Sequence, residues 1–384
     1  MLLIRGGRVL TMAGTDYDVA DVLINEGKIQ AVGTNLTAPD AEVYDASGKV
    51  VTPGLVDAHC HIGMEEDGLG FEGDDVNEIT NPLTPVMRAI DAINPEDPSF
   101  REAREAGITS VCTGPGSANV VGGQFAALKT VGIRADDMII REPLAVKVAF
   151  GENPKRCYSR EKKTPSTRMA TAAILREALV SAREYKRKMD MSDINGDASK
   201  QPDRDLGKEV LADVLEGKLF LKAHCHRADD ILTVIRIARE FGVRYTLDHC
   251  TEGYRIVDIL KNENAQVILG PLLSSRSKIE LNKMTFKAPV VFAKAGMKFA
   301  MMTDHPVIPI QYLPVCAALA VREGLDETEA LKSITIYSAE ITGIDDRVGS
   351  LEPGKDADVV VWSGAPLDYK TKTEAVFIDG VRVF

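Results

Sequence analysis

Two His-x-His motifs are the clearest candidates for chemistry in this sequence of 384 residues. The first is His59 and His61, which follow an apolar run that starts at Val50, and the second is His224 and His226. On a β-strand the side chains at i and i+2 point to the same face, so each pair projects together from a strand end. Two neutral imidazoles aimed at one point can bind a divalent transition metal. The alternative for the first pair is two hydrogen-bonded polar residues at a strand end.

All six histidines of the chain lie at or just beyond the C-terminal end of a predicted strand. Besides the two pairs, His249 ends one apolar stretch, and His305 follows Asp304 at the end of another. Histidines with unrelated structural roles would not share this position. A carboxylate such as Asp304 at the end of an apolar strand is costly unless it binds a cation or hydrogen-bond donors. We therefore predict one shared metal site, and the alternative for Asp304 is a cap on the turn before Pro306.

Lys147 is the one charged residue in the apolar strand predicted over Leu144–Phe150. Lysine is rarely buried in a strand without a partner, so structure alone explains it poorly. It is either a participant in the metal site or a lysine that reaches solvent, pairs with an acid or contacts substrate.

Four further polar residues are candidate substrate contacts. Arg156 lies in a basic loop after Lys147 that is suited to receive a carboxylate, and Arg227 follows the second His-x-His directly. Asn119 and Gln124 flank paired glycines near a strand end, where they would line a pocket. The alternatives are a solvated loop for Arg156, a surface position at a helix start for Arg227, and a plain turn for the two amides.

The elements that must position these residues change character along the chain. Residues 1–50 and 346–384 read as short strands with hairpin turns, and we predict that the two ends pair into one small β-sandwich. Residues 51–345 alternate apolar strands with amphipathic helices, which is typical of parallel βα units in an α/β fold. Seven strands have fair support, and an eighth falls within 117–140, as Gln124–Val131 or Met138–Ile140. We predict a (β/α)₈ TIM-type barrel, whose active site lies at the C-terminal strand ends. Polar residues 190–205 predict a surface loop.

Composition narrows the classes of partner. The formal charge of −11 argues against nucleic acid and anionic membranes. No apolar run reaches the roughly 18–20 residues of a spanning helix, and no secretory segment follows the first strand. Six cysteines in a chain of this length do not form a disulfide framework. We expect a cytoplasmic homo-oligomer that acts on a small molecule and binds neither nucleic acid nor membrane.

Taken together, these motifs resemble the amidohydrolase superfamily of metal-dependent hydrolases, and within it the imidazolonepropionase-like and prolidase-like branch. The resemblance covers essentially the whole chain. It is carried by Pro53–His61, the strand-end His224 and His249, Thr303-Asp304, and the segment Gly349–Asp358 that leads back into the β-sandwich.

The resemblance implies a divalent metal, zinc in the first place and iron or manganese as alternatives, with one or two ions. In members with two ions a carboxylated lysine bridges them, and Lys147 matches that position, whereas relatives with one ion lack it. His226 would face the substrate or the surroundings of the ligands. The implied ligands are His59, His61, Lys147, His224, His249 and Asp304.

The implied reaction is hydrolysis of a C–N bond, in an amide or cyclic amide of a small, carboxylate-bearing substrate. Metal-activated water attacks, and Asp304 accepts its proton and passes it to the leaving nitrogen. The metal, His249 or His226 polarises the carbonyl. One alternative is a ring deaminase of the same superfamily. A more remote one is a metal-free relative that serves as a binding or assembly protein, although such relatives usually lose ligands that are present here.

Overall fold

Two separate β-sheets of eight strands each organise the protein in the computed structural model, which describes residues 1–195 and 201–384. The strands are β1 (Leu2–Val9), β2 (Tyr17–Asn25), β3 (Lys28–Gly33), β4 (Glu42–Asp45), β5 (Val50–Pro53), β6 (Leu55–Cys60), β7 (Ile108–Thr113), β8 (Val121–Lys129), β9 (Ile139–Ala149), β10 (Leu221–Cys225), β11 (Tyr245–His249), β12 (Gln266–Leu269), β13 (Ala300–Met301), β14 (Val359–Trp362), β15 (Thr373–Ile378) and β16 (Val381–Arg382).

Helices fill most of the connections between the strands of the second sheet. They are α1 (Pro98–Glu105), α2 (Ala135–Met138), α3 (Glu152–Ser159), α4 (Arg168–Asn195), α5 (Leu206–Leu215), α6 (Ala228–Phe241), α7 (Val257–Asn262), α8 (Ala288–Lys294), α9 (Leu313–Arg322), α10 (Glu327–Ser333) and α11 (Ile336–Thr342). Within the described ranges, none of them combines the length and the apolar character needed to cross a lipid bilayer.

The first sheet joins the two ends of the chain, which confirms that part of the prediction. Its strand order is β16-β15-β14-β5-β1-β2-β3, with β4 paired to β1. The junction between the ends is the antiparallel pair β5–β14, in which Val50 lies opposite Trp362. Val22, Val51 and Val359 are fully buried in a core of this sheet's own. The domain boundaries at residues 50 and 345 stay predictions.

The second sheet is a nearly closed barrel of eight strands, β6 to β13, each beside its neighbours in chain order. β13 is only two residues long, and the gap between it and β6 is bridged just past the strand ends. There the Asp304 amide donates to the His59 carbonyl at 3.1 Å, and the His61 amide donates to the His305 carbonyl at 2.8 Å. The barrel therefore closes through the residues predicted to bind the metal.

One barrel strand departs from the predicted set of parallel βα units. β8 pairs antiparallel with both β7 and β9, while the other pairs in this sheet are parallel. Its position matches the alternative Gln124–Val131, but its direction is reversed. Apolar residues pack against both neighbours whichever way the strand runs, so the pattern of residues could not reveal the direction. As a consequence Lys129, at the end of β8, lies beside Ser110 at the start of β7.

Helix α6 shows how the barrel is covered. Its residues Ile231, Val234, Ile235 and Ala238 recur at helical spacing and are buried. It ends at Gly242, whose φ of 69° is a left-handed conformation that glycine adopts without strain. The loop predicted over residues 190–205 is wrong at its start, because α4 continues to Asn195, and residues 190–195 contain no glycine or proline to end the helix. Residues 196–200 lie outside the described residues.

Candidate metal centre

Three ligand-type side chains meet where the barrel closes. His59 and His61 come from the end of β6, and Asp304 lies three residues after β13. The Asp304 Oδ1 atom is 3.4 Å from His61 Nε2 and 3.5 Å from His59 Nε2. Two ligands that each lie 2.0–2.1 Å from a tetrahedral zinc are about 3.3 Å apart. The spacing of these donors therefore fits a single cation.

Three further imidazoles form a second group beside the first. His224 and His226 come from the end of β10 and His249 from the end of β11, and one ligand atom of each lies within 4.8 Å of the others. The ring centroid of His249 is 4.3 Å from that of His224 and 4.5 Å from that of His226. It is also 5.6 Å from the ring of His59, so the two groups are adjacent.

Contacts at Nδ1 orient four of these rings so that Nε2 faces the site. A backbone carbonyl can only accept a hydrogen bond, so Nδ1 carries the proton in His61 and His249, and their Nε2 atoms are free to bind a metal. The Nε2 atoms of His226 and His249 are buried without a hydrogen-bond partner among the described residues. The Nδ1 contacts are His59 with Asp248 Oδ2 at 2.8 Å, His61 with Gly114 O at 2.6 Å, His226 with Thr251 Oγ1 at 2.8 Å and His249 with Gly270 O at 2.9 Å.

The backbone at two of the ligand-type residues is strained. His249 has a φ of 71° and Asp304 a φ of 55°, in the left-handed region that residues with a side chain rarely adopt. The neighbouring Thr303 holds its strand end in place, since its hydroxyl and amide both donate to Asp57 Oδ2, at 2.5 and 3.2 Å. Strain of this kind is concentrated at functional sites.

Burial keeps the imidazoles neutral. It lowers the pKa of His59, His224 and His249 well below the ordinary value of 6.5, and nearby Lys147 adds to the shift in each. Burial also lowers the pKa of His226 to about 3. Only the neutral imidazole has a lone pair to offer a metal, so these side chains are in the form that binds one.

Two lysines and an aspartate lie fully buried behind the histidines. Burial lowers the pKa of Lys147 to about 8, and its Nζ lies 3.1 Å from His59 Nε2. The Lys222 Nζ donates to the Ala58 carbonyl at 3.1 Å and lies 3.3 Å from Asp248 Oδ2. Burial opposes the ionised form of Asp248, but Lys222 and then Lys147 outweigh it and lower the pKa of this carboxyl. Asp248 is thus an anion that joins His59 to the buried lysines.

The structure brings the six predicted ligands together but not the four predicted substrate contacts. Arg227 pairs with Asp229 at 2.9 Å, and Arg156 is half exposed beside Glu152. The amide of Asn119 donates to the carbonyls of Glu78 and Asn81 and to the hydroxyl of Thr84, and that of Gln124 donates to the carbonyl of Pro85. In the described part of the chain no hydrogen bond or ion pair joins these four to the histidines or Asp304. The two amides instead hold the loop before β7.

Sequence reasoning missed four buried charged residues around the site: Asp57, Lys222, Asp248 and Glu280. The first three each lie in an apolar strand within two residues of a candidate histidine, and that position was a usable signal. Glu280 lies in a polar segment between β12 and α8, where neither periodicity nor a neighbouring motif marks it. Its Oε1 atom is 3.7 Å from His226 Nε2 and 3.9 Å from His224 Nε2.

Comparison with known proteins places this geometry in context. A family model described as the amidohydrolase family matches residues 50–383. Amidohydrolase tasK from Hapsidospora irregularis is 29% identical over 399 residues, which cover 97% of this chain and 40% of tasK. This chain therefore spans well under half the length of that relative.

Solved structures show the same fold. The crystal structure of an amidohydrolase from Thermotoga maritima MSB8 is 45% identical, with a TM-score of 0.97, and the match covers all of both chains. A prolidase solved in complex with N-methylphosphonate-L-proline is 19% identical, with a TM-score of 0.64, over 100% of this chain and 99% of that one. At that identity the second likeness concerns the fold alone.

Proposed function

The chain belongs to the amidohydrolase family, and from this premise we propose that it is a metal-dependent hydrolase of a C–N bond in a small amide or cyclic amide. The observation that carries the proposal is the geometry of the first group of ligand-type side chains. His59, His61 and Asp304 present two imidazole nitrogens and a carboxylate oxygen with separations of 3.4 and 3.5 Å, at the barrel end where active sites of this fold lie.

The donor chemistry fits a divalent transition metal. His59, His61 and Asp304 would hold one ion, and His224 and His249 lie close enough to hold a second. Imidazole and carboxylate together suit zinc, with iron and manganese as alternatives. A bound ion of this kind supplies the nucleophile, because it lowers the pKa of a water from about 15.7 toward about 7. The identity and number of ions, and the carboxylation of Lys147, stay predictions.

Asp304 is the proposed proton carrier. Its side chain reaches both imidazoles of the first group and is about one-tenth exposed, so it borders the space that a substrate would enter. A carboxylate in this position can accept a proton from the attacking water and deliver it to the leaving nitrogen, which cannot depart as an anion. The hydrogen bonds from Thr303 to Asp57 fix the backbone next to Asp304 and so keep this carboxylate in position.

His226 is the proposed group beside the scissile carbonyl, and His249 would act on the carbonyl through a bound ion because its Nε2 atom carries no proton. Each ring presents a buried Nε2 atom toward the site, and each is fixed through Nδ1. The four substrate contacts predicted from the sequence lack a supporting contact with the site, so the carboxylate on the substrate stays a prediction. The homo-oligomer and the cytoplasmic location also stay predictions.

The proposal is tested by assaying the purified chain, with its ions counted, against a panel of small amides, cyclic amides and aminated heterocycles. We expect hydrolysis of at least one amide, loss of that activity on chelation and its return when a divalent metal is added. Ammonia release from aminated rings alone would replace the proposal with the deaminase alternative. Hydrolysis that persists in fully metal-free protein would contradict it.

A further inference from the structure

Glu280 is a buried carboxylate to which the proposed hydrolysis gives no role. The residue is 2% exposed. Its Oε2 atom accepts a hydrogen bond of 3.0 Å from the amide of Glu152, at the start of α3, which fixes the side chain. Its Oε1 atom is buried and has no hydrogen-bond partner among the described residues. Leaving a buried carboxylate oxygen unsatisfied is unfavourable, so a partner is needed at this point.

The Oε1 atom faces the second group of imidazoles. It lies 3.7 Å from His226 Nε2 and 3.9 Å from His224 Nε2, a few tenths of an ångström wider than the spacing of about 3.3 Å between ligands of one zinc. His249 Nε2 carries no proton, since Nδ1 is bonded to the Gly270 carbonyl, and it too is buried without a partner. At 3.7 Å Glu280 Oε1 and His226 Nε2 are too far apart to share a hydrogen bond. A cation bound by the carboxylate and the imidazole nitrogens would give each of these buried atoms a partner.

Two neighbouring side chains, Lys278 and Asn153, make only weak contacts with Glu280 and His224. The Lys278 Nζ atom lies 3.9 Å from Glu280 Oε1, which is longer than a hydrogen bond. The Asn153 amide nitrogen is 3.5 Å from His224 Nε2, while it donates a shorter bond of 2.7 Å to Ser117. Neither contact satisfies the His226 and His249 nitrogens.

We propose that Glu280 and His226 complete a second cation site together with His224 and His249. The inference rests on the proposed function for the presence of a metal centre, and it adds two ligands to that centre. Three imidazoles and a carboxylate supply four donors, which is a full set for a tetrahedral ion. This set is present without any modification of Lys147. His226 is then a ligand rather than a group that contacts the carbonyl directly.

The test counts ions per chain and measures their affinity in Glu280→Gln and His226→Gln, with Asp230→Asn as the matched control. Asp230 is equally buried and, like Glu280, has a carboxylate oxygen close to Gly151, but it pairs with Arg168 at 2.8 Å. Zinc is titrated against a competing chelator, and Co²⁺ is followed by its visible absorption. We expect two ions in wild type and in Asp230→Asn. In both ligand variants the dissociation constant of one ion should rise at least about 100-fold.

The outcomes separate this inference from the proposed function. Two ions of unchanged affinity in Glu280→Gln, or one ion in wild type, would overturn the inference and leave the proposed hydrolysis standing. A wild-type chain that binds no divalent metal would remove both. Thermal unfolding of the metal-free proteins checks that each variant folds. If Glu280→Gln does not fold, His226→Gln decides the question alone, because the loss of either ligand must affect the same ion.

Discussion

Two clusters of buried charge lie at opposite ends of the barrel strands, and they are built differently. The first is the metal-centre cluster of histidines and carboxylates at the C-terminal ends. The second, which we name the junction cluster, is Lys129 with Asp356, Asp358 and Asp379, where the barrel meets the chain-end sheet. Lys129 Nζ lies 2.9 Å from Asp356, 2.7 Å from Asp358 and 3.4 Å from Asp379.

The aspartates of the junction cluster are neutralised by Lys129 and by cations that surround the cluster. Asp356 has two further cations close by, with Lys28 at 2.6 Å and Arg347 at 2.8 Å. Asp358 also accepts a hydrogen bond of 3.1 Å from the amide of Asp379. In the metal-centre cluster, by contrast, the buried Nε2 atoms of His226 and His249 and the Oε1 atom of Glu280 have no hydrogen-bond partner among the described residues, and Lys278 approaches Glu280 Oε1 only to 3.9 Å. Burial alone therefore does not mark function, whereas buried polar atoms without a close partner do.

Activity should depend on the metal-centre cluster and not on the junction cluster. Asp304→Asn should lower the rate of hydrolysis at least about 10³-fold, about 4 kcal/mol, because the amide can neither accept a proton nor carry the charge that holds the ion. Asp379→Asn, a half-exposed member of the junction cluster, should stay within about threefold of wild type. Initial rates on the amide found to be a substrate check both. Retention of a tenth of the activity in Asp304→Asn would contradict the assignment.

The junction cluster should dominate stability instead. Lys129→Met leaves Asp356 and Asp358 buried with less compensation, and we expect a loss of about 3 kcal/mol in the free energy of unfolding. The loss falls at the low end of the range for broken buried pairs because Lys28 and Arg347 still face Asp356. Denaturant unfolding measures it, and the activity per folded molecule should not change. A loss of less than about 1 kcal/mol in the free energy of unfolding would show that the junction cluster contributes little to stability.

Asp248 lies in the metal-centre cluster and yet has close partners. It contacts His59 Nδ1 at 2.8 Å and Lys222 Nζ at 3.3 Å. Replacement of a carboxylate that orients a ligand imidazole typically costs 10–100-fold in metal affinity, so Asp248→Asn should weaken one ion by about that factor. Chelator competition measures it, with Asp379→Asn as the control. Unchanged affinity would mean that Asp248 only neutralises the lysines.

The sequence predicted much of the metal-centre cluster because its signals are local. Each His-x-His lies at the end of one strand, and six histidines in 384 residues make their shared position conspicuous. Glu280 could not be predicted, because it reaches the site from a loop whose position depends on tertiary packing. The direction of β8 was equally hidden, and with it the location of Lys129 at the junction. The segment Gly349–Asp358 is identifiable as a motif, but the pairing of its aspartates with Lys129 depends on that reversed strand.

The smallest expected effect concerns the outer edge of the junction cluster. Lys28 contacts Asp356 at 2.6 Å, but its side chain is 51% exposed. An exposed partner contributes little because solvent screens the pair, so Lys28→Met should reduce the free energy of unfolding by at most about 1 kcal/mol. Its effect should be well below that of Lys129→Met, because Lys129 contacts the same carboxylate from the buried side.

The pH dependence of this small effect follows from Asp356. Burial opposes ionisation of that carboxyl, but Lys129 and then Lys28 outweigh burial and lower its pKa below the ordinary 3.8. A lowered pKa contributes stability that is present above pH 3.8 and lost as the pH falls through the folded-state pKa. The difference between Lys28→Met and wild type should therefore be constant from pH 7 to about pH 5 and shrink below about pH 4. Denaturant midpoints across this range measure it. If this difference in unfolding free energy grew on acidification, Lys28 would be stabilising a charged group other than Asp356.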